Sequence, residues 1–404
     1  MIDLNQNLLL VNGGAMFQLM KEIFNETSNS FLEWRFENFR YWYEKIPELV
    51  EKAFLRNDKV ELLDLDLTDS DPKTYYGYNP LNIKVLTLKT KAREENIQKL
   101  YIPVPGPYDI FNVNSMPYIL IAEMIDQLIT VYDQTIRLRY FKIENDSFIF
   151  NRTHYPLAKF LVTIGYYDKS DFEVVSEVQG PNDVDTGKCI IRFKKYKGTP
   201  FDKMVVASLQ KVKTIGDLFD PSLRNRTNQF DIGTYYIYQL NLFYDLDIDY
   251  SETTCDILCK WIRKAEEMFN TDLRFSSFGD VSQKYISYYD IIVEYLLKRV
   301  IDTTLQRRGL VKFRTDPNSI LKWLVASNPR FQLVQSFENV FREVNMKETV
   351  VININNPPDR YRTVDPSYLY TIDPINTPDN EKMGIVQRVS KTVKLDQLGR
   401  FIID

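Results

Sequence analysis

The sequence predicts a multidomain α+β protein, and three observations carry that expectation. Its 404 residues are enough for two or three separate cores. Apolar residues recur at helical spacing near the N-terminus and again in the last third of the chain. Between these stretches lie short apolar runs broken by Pro and Gly, the mark of strands and turns.

Taken in order, Phe17, Met20, Ile23 and Phe24 repeat at helical spacing, and the repeat resumes at Leu32, Phe36, Phe39 and Tyr43. Residues 17–56 therefore read as largely helical. Ser30 followed by Glu33 has capping-box spacing and marks a second helix start. Residues 64–80, rich in Asp, Ser, Thr and Pro, read as a loop. Residues 81–125 read as strands, with a helix beginning near Pro117. Residues 160–164 and 189–193 also read as strands. So do residues 240–248, where Leu240, Leu242, Tyr244, Leu246 and Ile248 alternate mostly with polar or acidic positions. Residues 255–268 read as a helix. A stronger helix covers 285–308, with Tyr285, Tyr289, Ile292, Leu296 and Val300 on one face. Arg307, Arg308 and Gly309 supply its stop.

Composition excludes several classes. No apolar run reaches the roughly 18 residues of a membrane span, and the first residues carry no basic segment ahead of their apolar stretch, so no cleaved signal is read. These features predict an intracellular protein. With three cysteines and one histidine, His154, a zinc site lacks its usual set of about four soft ligands, and histidine-based nucleophilic catalysis has at most one copy. No phosphate-cradling glycine loop is present. The net charge of −4 leaves nucleic-acid binding to local patches.

Three segments have candidate chemistry. Alternating acids at Asp64/Asp66 and at Asp245/Asp247/Asp249 have a spacing that can hold the metal ions of phosphoryl transfer. The same period in a strand places them on one solvated face, which is the preferred reading because neither run has a tight glycine loop. The basic run Lys188, Arg192, Lys194, Lys195 and Lys197, with Phe193 and Tyr196 between, suits phosphate contact. A lysine-protected strand edge is the preferred reading of the same run. Residues 353–386 form a rigid, proline-fixed irregular stretch carrying Arg360 and Arg362.

That last stretch resembles the β subunit of multisubunit DNA-directed RNA polymerases. The family has V-H-P-(T/S)-x-x-G, then C-P-I-E-T-P-E-G, then three residues and G-L-I. Here Val364, Pro366, Ser367, Pro374, Ile375, Thr377, Pro378 and Gly384 match without a gap. Asp365, Asp373, Asn376 and Asn380 depart from the pattern, and Asp379 stands for the second glutamate. Residues 339–347 resemble N-P-L-S-E-I-T-H-K, and the tail 395–401, with Gly399, resembles N-E-Y-G-F. Far upstream and in the same order, Ile102-Pro-Val, Phe111-Asn-Val-Asn114 and Ile119-Leu-Ile look like I-P-L…F-V-I-N-G-x-E-R-V-I-V.

The divergence is similar to that of the split β subunits of giant bacteriophage polymerases. The resemblance implies a protrusion-like domain over 1–130 and 271–330, a lobe-like domain over 131–270, and a fork region over 331–404. It implies nucleic-acid contacts at Arg360, Arg362, Lys382 and Arg388, beside the patch residues Lys194 and Lys195. Pro374, Thr377, Pro378, Asp379 and Gly384 would shape a loop near the active centre. No catalytic residue and no bound cofactor are expected on this chain, since Mg belongs to a β′-type chain. The implied partners are the C-terminal half of β, β′-type chains, whole or themselves split, template DNA, RNA and a promoter-specificity factor. The implied location is the cytoplasm of an infected bacterial host, or the virion. The drug-contact positions of the family's rifamycin pocket would be Met346, Glu348, Thr349 and Val351, which implies resistance. The alternative is a non-catalytic nucleic-acid-binding or phage structural protein that retains a decayed β-subunit fold.

Overall fold

A computed structural model describes residues 30–57, 60–69, 83–91, 94–106, 109–113, 116–176, 189–271, 276–277, 279–306, 325–326, 330–334, 346–352, 365–373, 385–390 and 392–402. It is a mixed α and β protein with several separate sheets. The chain divides into two compact units, one built from residues 1–125 and 279–404, the other from 126–278.

Among the described residues, the first element of the first unit is α1, Ser30–Leu55. Phe31, Leu32, Trp42, Ile46, Leu49, Val50 and Ala53 form its buried stripe, spaced three and four apart as one helix face requires. Strands β1 (Glu61–Asp69), β2 (Ile83–Lys91) and β3 (Glu95–Pro103) form an antiparallel sheet in that order. Residues 64–69, expected in a loop, are thus in a strand. Leu65 and Leu67 stand opposite the buried Leu88 and Leu86. The polar residues between them point the other way, so strand alternation here has the same composition as a loop. Then come β4 (Phe111–Val113), β5 (Met116–Leu120) and β6 (Ala122–Asp126). Pro117 opens no helix. It pairs with Asn112 within β5, and its carbonyl accepts the Val334 amide at 2.9 Å, so its missing N–H costs the ladder little.

The second unit starts with a five-stranded meander: β7 (Ile129–Tyr132), β8 (Thr135–Leu138), β9 (Phe141–Glu144), β10 (Ser147–Phe150) and β11 (Thr153–Pro156). Its two-residue turns carry positive φ, as hairpin twist demands. Helix α2, Leu157–Ile164, occupies the place where a strand was expected over 160–164. Every residue of α2 but Lys159 is buried, so no amphipathic period exists to betray the helix. The hairpin β12 (Phe172–Ser176) and β13 (Cys189–Phe193) matches the expected strand at 189–193. Helices α3 (Pro200–Leu209), α4 (Pro221–Asn228), α5 (Thr234–Tyr244) and α6 (Thr254–Phe269) complete the unit. Thr199, Asp220 and Thr253 accept backbone N–H bonds at the starts of α3, α4 and α6. The strand expected over 240–248 is instead the end of α5 and an irregular turn, with Asp245 and Asp247 at φ 51° and 48°.

The chain then returns to the first unit. Strand β14 (Lys284–Ser287) precedes α7 (Asp290–Glu294), which widens into a π-helix over Tyr295–Asp302 and ends as α8, Thr303–Gln306. The single helix expected over 285–308 is therefore broken at its start, and its last two residues lie outside the described ones. Strands β15 (Phe331–Leu333), β16 (Thr349–Val351) and β17 (Val386–Arg388) close two sheets, ordered β14-β6-β16-β17 and β15-β5-β4. Among the described residues, no helix is long and apolar enough to cross a membrane.

Candidate functional site

Two residues on the buried stripe of α1 are polar, Arg35 and Asn38, and they organise the first unit. A guanidinium taken out of water costs several kcal/mol unless its charge and its N–H groups are matched. Arg35 is 1% exposed and fully engaged. Its Nε donates to Asp109 Oδ2 at 2.7 Å, with Nη2 2.6 Å from the same oxygen. Nη2 also donates to the Leu120 carbonyl at 2.8 Å, and Nη1 to the Lys347 carbonyl at 3.1 Å. The guanidinium stacks over the Tyr288 ring, 4.1 Å from its centroid, and the Tyr288 hydroxyl donates to Asp109 Oδ1. Asp109 sits at φ 59° in a tight turn whose Gly106 amide donates to the Ile110 carbonyl at 2.8 Å.

Burial works against the Arg35 charge, but Asp109 beside it outweighs this, and the guanidinium is held above its ordinary value. Burial, reinforced by Asp109, pushes the Tyr288 phenol well above its own. Both groups keep their protons at physiological pH, so they position backbone and do not move protons.

A second buried arginine extends the network. Arg330 donates to the carbonyls of Ile121 (2.8 Å) and Ser287 (2.6 Å) and pairs with Glu123 at 3.1 Å. Asn38 donates to the Gln397 carbonyl, Trp34 to that of Asp396 and Ser30 to that of Val393, which fastens the C-terminal tail to α1. Strand β16 runs parallel to β6, with Val350 opposite Ala122 and Val351 opposite Glu123. Met346 and Val351 pack on an apolar cluster of Ile110, Ile119, Ile121 and Val334.

Beside this centre, residues 365–373 form a braced knuckle. Asp365 Oδ1 accepts the Ser367 amide at 2.9 Å, and Ser367 Oγ accepts the Val281 amide at 2.9 Å. Tyr368 is buried, while Leu369 and Tyr370 are 68% and 80% exposed, Tyr370 at φ 67°.

Of the residues expected to contact nucleic acid, Arg360, Arg362 and Lys382 lie outside the described residues. So do Pro374, Thr377, Pro378, Asp379 and Gly384 of the loop near the active centre. Arg388 is half-buried in β17, opposite Thr349. Lys194 donates to the Ser170 carbonyl at 3.0 Å, and Lys195 pairs with Asp171 at 2.9 Å, both on the exposed rim of the β12–β13 hairpin. Neither acidic run converges. Asp64 and Asp66 stand exposed along β1, opposite Lys89 and Thr87, and Asp249 Oδ1 accepts both the amide and the hydroxyl of Ser251. Among the described residues no three of His, Cys, Asp and Glu gather to hold a metal ion. Burial pushes the thiols of Cys255 and Cys259 up to about 11 and about 12, which leaves them inert.

The Arg35–Asp109–Tyr288 centre and Arg330 were missed from sequence. The available signal was Arg35 and Asn38 at two positions of an otherwise apolar helical stripe. No protein-family model matches the chain, and comparison with curated proteins gives no match.

Proposed function

We propose that the chain is the N-terminal part of a β-type subunit of a DNA-dependent RNA polymerase, inactive alone. One observation carries the reading. Residues 119–121 and residues 346–347, which end the 339–347 stretch, belong to matches that follow the family's order but stand far apart in sequence, and they meet in space. Met346 packs against the cluster that contains Ile119 and Ile121, and Arg35 bonds the carbonyls of both Leu120 and Lys347. Two short matches arising by chance have no reason to be neighbours.

Two details agree with it. In V-H-P-(T/S)-x-x-G the glycine position is Tyr370, and Tyr370 adopts the left-handed backbone that glycine takes most easily. The glycine of the tail motif is Gly399, at φ 88°. On this reading the chain supplies one wall of the DNA channel and part of the active-centre cavity. Mg and its carboxylate ligands belong to a β′-type chain. Its partners are the C-terminal half of β, β′-type chains, template DNA, RNA and a promoter-specificity factor. It acts in the cytoplasm of an infected bacterial host or is packaged in the virion.

The test is reconstitution. The chain purified from its native source should bring at least two further large chains, and the assembly should extend RNA on a primed DNA scaffold. Leaving this chain out of the mixture should abolish extension. Full extension without it, or extension by it alone, would overturn the proposal.

A further inference from the structure

In the β7–β11 meander the turns at 139–140 and 151–152 lie at the same end of the sheet, since each joins an even-numbered strand to the next odd one. They are two strand spacings apart, roughly 9.5 Å. Arg139 and Arg152 occupy these turns at φ 27° and 63°, where Asn, Asp or Gly would fit with less strain. The other turns of the same meander have Asp133 and Asn145 at positive φ, with Gln134 beside Asp133 at φ 58°. Turn chemistry therefore does not account for arginine at either place. A third arginine, Arg226 on α4, lies 6.0 Å from the ring centroid of Tyr155 on β11. All three are exposed. Among the described residues, Arg152 and Arg226 form no ion pair with a carboxylate, whereas Lys195 and Lys211 in the same unit each do. Arg139 lies 5.6 Å from the Tyr236 ring centroid. Half-buried Tyr140 packs on Phe230 at 5.4 Å and stiffens the surface between the arginines.

We infer that Arg139 and Arg152 on these turns, with Arg226 beside β11, bind the phosphate backbone of a nucleic-acid strand. Guanidinium groups match phosphate oxygens with paired N–H donors, and exposed arginines such as Arg152 and Arg226, without carboxylate partners, are available to do so. Strained turn positions keep the charges at fixed points on a rigid sheet, which lowers the ordering cost of binding. The inference stands on these residues and not on the polymerase reading.

Fluorescence anisotropy of the full chain with a labelled 20-nucleotide oligothymidylate, and with a duplex of equal length, tests it across a salt series. The wild type should bind at least one of the two, with affinity falling as salt rises. Arg152→Asn with Arg226→Gln should weaken binding at least tenfold at low salt. It should also flatten the log–log salt slope by about 1.4 for the single strand, or about 1.8 for the duplex. The thermal midpoint of the variant should hold or rise, because asparagine relieves the turn at 152. Failure of the wild type to bind below about 100 µM would overturn the inference. So would an unchanged affinity and slope in the variant, or a Lys194→Gln/Lys195→Gln variant that removes the whole salt dependence.

Discussion

At Gly399 two constraints meet. Its φ is +88°, and an added Cβ would overlap the Ile286 carbonyl oxygen and come within 3.0 Å of the Trp34 ring. The same glycine's carbonyl accepts the Ile286 amide at 2.8 Å, so the approach cannot open without losing that bond. Gly165 has a similar φ of +94° but nothing within 4 Å of the added carbon. Gly165→Ala should therefore cost about 1–2 kcal/mol, from backbone strain alone. Gly399→Ala should cost about 3 kcal/mol or more, as crowding adds to strain. Denaturant unfolding of each variant against wild type measures the difference. Glu266 gives a pH prediction of definite sign. Burial raises its carboxyl above the usual range, against the bond it accepts from Tyr166. A folded-state pKa above the unfolded one means that folding favours the protonated form. Stability from this group is present at low pH and is lost as pH rises through the folded value. Glu266→Gln should stabilise the second unit at neutral pH and remove that part of its acid-side dependence, read from thermal midpoints between pH 4 and 8.

Among the elements, α2 shows why a short apolar run is ambiguous. Residues 160–164 have the β-branched and aromatic composition of a strand, and only neighbours on all sides make them a helix. Pro156 at its start has no side chain to cap the first amides. Ser208 on α3 does this instead, accepting the Ala158 amide at 2.8 Å while donating to the Val205 carbonyl at 2.6 Å. Ser208→Ala would leave a buried N–H unpaired and should cost about 1–3 kcal/mol in urea unfolding of the second unit. Replacement by cysteine, a weaker partner of similar size, should recover part of it. Helices α1 and α6 were legible because each has one wet face, so the 3.6-residue period survives in the sequence. The strand misread over 240–248 alternates only by coincidence. Residues 234–240 are buried all round within α5, and residues 245–249 are irregular, with Asp245 and Asp247 left-handed and Asp245, Asp247 and Asp249 exposed.

Within the first unit, the Arg35 centre joins five segments: α1, the turn at Asp109, the Leu120 stretch, the Tyr288 stretch and the Lys347 stretch. Arg35→Ala should cost roughly 3–5 kcal/mol, because it leaves Asp109 charged, buried and without its cation. Arg40→Ala, which breaks an exposed pair with Glu44, should cost far less, and chemical denaturation compares the two. On the polymerase reading, an enzyme containing this chain should also tolerate rifampicin in run-off transcription. Met346 and Val351 offer no strong hydrogen-bonding group, and both lie against an apolar cluster, whereas the family's pattern has polar groups at those positions. Inhibition at the doses that stop a sensitive bacterial enzyme would remove that correspondence.

The mixed α and β class, the amphipathic helices and the β13 strand were settled by local pattern, since a face that meets water leaves its period in the chain. The order of the motif stretches was also plain in the sequence. The meeting of residues 119–121 with residues 346–347, the burial of Arg35 and the setting of Arg139 and Arg152 at one end of a meander were decided by tertiary structure alone. A buried charge is stable only beside partners that the fold brings from elsewhere, and no local pattern records which residues those are.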